Sequence, residues 1–107
     1  MPTLNDSPNL AAIQTYVKEL EQERGFTNNP IQQECLLLGE EVGELFKAIR
    51  KHEHLQIDAS SKVGTPAEEL ADILIYLCAI ANRLNIDLET ALRDKEEVNK
   101  ERVWRAG

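Results

Sequence analysis

The stretch Leu36–Lys51, LLLGEEVGELFKAIRK, decides the fold. Leu38, Val42, Leu45, Phe46 and Ile49 recur at helical spacing and mark a face expected to meet a core. At about 100° per residue, Glu41 and Glu44 project beside that stripe, in an arc shared with Leu37 and Ala48. Glu40 points further round toward solvent. Like charges three or four apart on a helix cost roughly 0.2–0.5 kcal/mol per pair. A helix with that built-in repulsion has a second task.

Working outward, three more helices are expected. The first runs from about Pro8 to Arg24, with Ser7 as N-cap, Pro8 at the first helical position and Gly25 as the stop. The second, which holds the quoted stretch, opens at the cap-plus-proline pair Asn29-Pro30 and reaches about His52. A polar connector, HEHLQIDASSKVGT, follows from His52 to Thr65, and its length suits a functional or mobile loop. Thr65-Pro66-Ala67-Glu68 then reads as a capping box opening the third helix. That helix, to about Leu84, is apolar on most sides from Leu70 to Ala81 and is expected to be the central, most enclosed one. Asp87 caps the fourth, to about Trp104. No strand-like alternation, repeat or low-complexity tract interrupts the pattern. The expected fold is an all-α four-helix bundle.

With 107 residues the chain is expected to form one domain, residues 1–107, with a core small enough to favour an oligomer. Its formal charge of −7 argues against a nucleic-acid polymer, whose phosphates need clustered Lys and Arg. Cys35 and Cys78 have no metal-ligand spacing and read as two reduced, buried thiols. The opening MPTLNDSPNL has no secretory pattern, and the apolar run from Leu70 to Ala81 is too short to span a bilayer. A soluble, cytoplasmic protein without a membrane partner is the expectation.

The third helix repeats the oddity of the second. Glu69 and Asp72 are three apart and share a side, and Asp72 is a lone charge in an apolar run. An ionised carboxylate buried without a partner is strongly disfavoured. If the two helices pack antiparallel, Glu41, Glu44, Glu69 and Asp72 converge. Unit charges about 4 Å apart at an effective dielectric near 20 repel by about 4 kcal/mol, so bound cations are expected. An all-oxygen donor set suits Mg²⁺, Mn²⁺ or Ca²⁺, and neither pair offers the Glu-x-x-His of a di-iron bundle. Four carboxylates also neutralise two divalent ions, the charge count of a two-metal hydrolytic site. The competing reading is a solvated acidic face on a non-catalytic helical interaction module.

EEVGEL at Glu40–Leu45, followed by EELADILIYL at Glu68–Leu77, resembles the MazG-like all-α nucleoside triphosphate pyrophosphohydrolases. Their motif, EExxE then ExxD, corresponds here to Glu40, Glu41 and Glu44, then Glu69 and Asp72. The resemblance runs from about Pro30 to Trp104 and is strongest to short single-domain members, including those acting on dCTP. It implies Mg²⁺, or Mn²⁺ in its place, held by Glu41, Glu44, Glu69 and Asp72. It also implies attack of water on the α-phosphorus with loss of pyrophosphate, Glu40 and Glu41 serving the water. The implied working unit is a homodimer or a dimer-of-dimers tetramer. The implied role is removal of non-standard or surplus nucleotides.

Lys95, Asn99 and Arg102 share a face of the last helix. They read either as solvated residues stitched by ion pairs or, as the resemblance implies, as contacts to the phosphates. Tyr76, four residues after Asp72, reads either as a core aromatic with a satisfied hydroxyl or, by resemblance, as an edge of the nucleotide pocket. His52 and His54 read as solvated, and Trp104 as a C-terminal packing residue. The chain lacks the extra tryptophans that some dCTP-directed members hold near the base. A nucleotide-binding regulator that hydrolyses poorly is the third reading.

Overall fold

The computed structural model describes residues 1–60 and 62–102. It contains α1 (Leu10–Arg24), α2 (Ile31–His52), α3 (Pro66–Arg83) and α4 (Leu88–Lys100), and no strand among the described residues. The all-α expectation holds. Trp104 lies outside the described residues.

Local chemistry sets the ends. α1 starts at Leu10, not at Pro8, because Asn9 takes the cap: its side-chain oxygen accepts from the Ala12 N–H at 2.8 Å. Pro30, not Asn29, stands at the N-cap of α2, and the Asn29 amide donates to Glu34 instead (3.3 Å). Thr65 caps α3 as expected, but Glu68 reaches its hydroxyl and not its backbone N–H, so half of the capping box forms. The Thr65 hydroxyl accepts from the Glu68 N–H at 3.1 Å and donates to its carboxylate at 3.2 Å. At α4, Asp87 accepts from the Glu89 N–H.

α3 is the central helix. Its residues 78 and 79 pack on Val17 of α1, with Ile13, Ile75 and Leu88 around them. Burial among these apolar groups pushes the Cys78 thiol up from its ordinary pKa. Cys35, expected to be buried, is exposed.

Two polar clamps hold α1 to α3. Gln14, nearly buried, donates to Asn82 (3.1 Å) and the Ile86 carbonyl (2.8 Å) and accepts from the Leu88 N–H (2.9 Å). Arg83 forms a bidentate pair with Glu21 (3.1 and 2.7 Å), approaches Glu34 at 3.5 Å and donates to the carbonyls of Phe26 and Asn29. Every buried donor and acceptor of that corner is thereby used.

α2 and α3 pack antiparallel: Glu34 lies by Arg83, and Glu41 by Glu69 and Asp72. Of the stripe expected to meet the core, Leu38, Val42 and Leu45 are half-buried, while Phe46 and Ile49 turn outward in the single chain. Phe46 is 60 % exposed and Ile49 42 %. α3 is likewise bare on one side, at Leu70, Leu74 and Leu77. The reason is that α2 turns its other arc, with Glu34, Leu37, Glu41 and Ala48, toward its neighbours. On antiparallel helices both bare stripes lie on the same side of the pair, away from α1. No described helix is long and apolar enough to cross a membrane.

Candidate functional site

Antiparallel packing brings Glu41 of α2 against Glu69 and Asp72 of α3. One oxygen from each lies within 4.8 Å of the others. Glu69 is 8 % exposed and Glu41 is half-buried. None of the three is ion-paired to a Lys, Arg or His among the described residues. Their closeness therefore has no protein counter-charge.

Protonation is the response. Burial, followed by hydrogen bonding with Glu69 and the negative charge of Asp72 and Glu69, pushes the Glu41 carboxyl from its ordinary 4.5 to about 7. Near pH 7 the Glu41 carboxyl is therefore about half protonated in the metal-free protein. A divalent ion fits the same place: the donors are all oxygen, convergent, and short of positive charge.

Glu44 stands one turn beyond Glu41, half-buried. Its carboxylate is not within the three-acid group and pairs with Lys47 at 3.8 Å. Glu40 is exposed on the outer side of α2. Tyr76 is half-buried one turn after Asp72. Burial, then the charges of Glu41, Glu34, Asp72 and Glu40, hold its hydroxyl above the ordinary 10.

Beside the acids opens a cleft of about 230 Å³ between α1, the turn after it, and the pair α2–α3. Its walls include Arg24, Phe26, Gln33, Leu37, Asp72 and Tyr76. Asp72 thus belongs both to the acid cluster and to the cleft.

Lys95, Asn99 and Arg102 are not brought to this place within the chain. α4 leans on α1, and none of the three lines the cleft. Asn99 donates to Glu96 on its own helix (3.1 Å). His52 and His54 are exposed, as expected.

Sequence reading passed over Glu34, Gln33 and Phe26. A signal existed for Glu34, which lies seven residues before Glu41 and so shares its arc. Phe26 and its neighbours sit in a turn whose path no periodicity reveals.

The model of the MazG nucleotide pyrophosphohydrolase domain matches residues 31–102. Two crystal structures of iMazG from Vibrio DAT 722 are 35 % identical in sequence. The N-tagged form has a TM-score of 0.69 over 92 % of this chain and 100 % of that one. The C-tagged form has a TM-score of 0.63, covering 87 % and 99 %. No curated protein matches. With the family model spanning both acidic motifs and the helices that carry them, the chain belongs to the MazG nucleotide pyrophosphohydrolase domain family.

Proposed function

We propose that the chain is a Mg²⁺-dependent nucleotide pyrophosphohydrolase, with Mn²⁺ able to substitute, that converts a (deoxy)nucleoside triphosphate and water to the monophosphate and pyrophosphate. The observation that carries this reading is the position of Asp72, shared by an uncompensated acid cluster and the cleft beside it.

Glu41, Glu69 and Asp72 would hold the metal, and Glu44, on releasing Lys47, would complete the set. Bound there, a divalent ion supplies charge neutralisation for the triphosphate and activation of water. The chain does the rest. Tyr76 and the cleft walls receive the nucleoside, which sets the α-phosphorus beside the acids. Glu40, on the outer side of α2 next to Glu41, would orient the attacking water and accept its proton. Pyrophosphate leaves toward solvent.

The bare stripes of α2 and α3 support a second copy of this chain as their cover. A partner's α4, with the turn after it that holds Arg102, would then bring Lys95, Asn99 and Arg102 to the phosphates, which the chain's own copies do not reach. A homodimer or a dimer of dimers, built from residues 1–107 as one unit in the cytoplasm and clearing unwanted nucleotides, is the corresponding biological reading.

The test is a panel of ribo- and deoxynucleoside triphosphates with Mg²⁺, scoring pyrophosphate against orthophosphate. Equimolar monophosphate and pyrophosphate are expected. Orthophosphate with a diphosphate product contradicts the mechanism. Tight binding without turnover favours a nucleotide-binding regulator, and no metal response favours a helical interaction module.

A further inference from the structure

The connector between α2 and α3 ends by passing over the first turn of α3. There Gly64 is half-buried against the acids. A Cβ on Gly64 would stand 2.5 Å from Glu69 Oε1, 3.6 Å from Glu69 Cδ and 3.5 Å from Glu68 Oε2. Glu68 is in turn held by the Thr65 hydroxyl. Two other glycines of the acid-rich region, Gly39 and Gly43, would meet nothing within 4 Å. Gly64 has an ordinary negative-side backbone, so its requirement is space and not conformation.

The atom that fills this space is one end of a carboxylate in the three-acid cluster. An alanine would leave the connector's path open and turn the Glu69 carboxylate instead. We propose that Gly64 is a positioning residue: its missing side chain leaves the room in which Glu69 is held with its oxygen beside Glu41 and Asp72. This rests on the metal-site reading above. The connector, whose sequence is polar and carries no acid of the motif, then takes part in the site through backbone closeness alone. Partners that orient a metal ligand typically cost 10–100-fold in metal affinity when altered.

The experiment is a Mg²⁺ titration followed by melting temperature, with pyrophosphate release as a second readout. Gly64→Ala is compared with Gly43→Ala, which makes the same change where there is space. Gly64→Ala is expected to melt within a few degrees of wild type without metal and to need at least about tenfold more Mg²⁺. Gly43→Ala is expected to titrate like wild type. In a Glu69→Asp background, where the carboxylate is withdrawn by one methylene, Gly64→Ala is expected to add no further loss.

A Gly64→Ala protein with the wild-type Mg²⁺ response overturns the proposal. So does one that melts far below wild type without metal, since the glycine then serves the connector's own packing. An equal loss in the Glu69→Asp background overturns it too. If the wild type itself shows no Mg²⁺ response, the metal-site reading has failed, and this inference fails with it.

Discussion

Glu41 is the residue on which the site's electrostatics turn. Its carboxyl titrates near 4.5 when unfolded and about 7 when folded. A group raised in this way contributes stability that is fully present below 4.5 and lost as pH rises through 7. The metal-free protein should therefore lose melting temperature, relative to Glu41→Gln, between those values. Mg²⁺ must displace the same proton, so its stabilising shift should grow as pH rises toward 7 and level off above it. Melting curves from pH 5 to 8, with and without Mg²⁺, check both; a wild-type profile parallel to that of Glu41→Gln contradicts them. Arg83 is the opposite case, a cation whose acids are already in place. Glu21 first, by hydrogen bonding, and Glu34 hold its charge. Arg83→Ala leaves two buried acids unpaired, and breaking such a pair typically costs about 3–5 kcal/mol. Urea unfolding should show that loss; a change under about 1 kcal/mol would mean that the acids find water instead.

At the scale of elements, three helices end in one manner. Gly25, His54 and Asn85 each take a left-handed backbone, with φ of 76°, 60° and 55°. In each case the next N–H reaches back to the carbonyl five residues earlier: Phe26 to Glu21, Leu55 to Arg50, Ile86 to Ala81. Glycine does this freely and asparagine tolerably, but histidine bears a steric cost of about 1 kcal/mol. His54→Gly should stabilise the chain by about that amount, read as a raised urea midpoint at constant slope; a loss would mean that the imidazole has packing of its own. Helices were readable here because proline, glycine and side-chain caps punctuate an apolar period. The start of α1 was not, since Ser7 and Asn9 are equally good caps and only the path of the chain decides between them. Glu41, Glu69 and Asp72 were readable because their spacing puts them on facing arcs. Glu44 shares that spacing, yet Lys47 three residues on competes for it.

At the scale of the whole molecule, one side of the α2–α3 pair carries a bare apolar face. Phe46, Ile49, Leu70, Leu74 and Leu77 stay substantially exposed. Periodicity identified these stripes as core but had no means of saying whose core, because burial by a second chain leaves the same pattern as burial within one. Each Leu kept from water contributes about 1.5–3 kcal/mol, so a face of this kind favours association. Light scattering at micromolar concentration should report a dimer or tetramer, and Leu74→Glu should shift it toward monomer; a monomeric wild type would show that the face stays bare. The most direct test of the site itself is the melting temperature of Asp72→Asn against wild type near pH 8, without and with Mg²⁺. Binding to the folded state alone stabilises by about 2.7 kcal/mol at a hundredfold excess over Kd. Wild type should rise with Mg²⁺, whereas Asp72→Asn should melt at or above wild type without metal, respond less to Mg²⁺ and lose most pyrophosphate release. An Asp72→Asn protein that melts markedly lower without metal, yet keeps the Mg²⁺ response and the activity, would make this carboxylate structural and contradict the account.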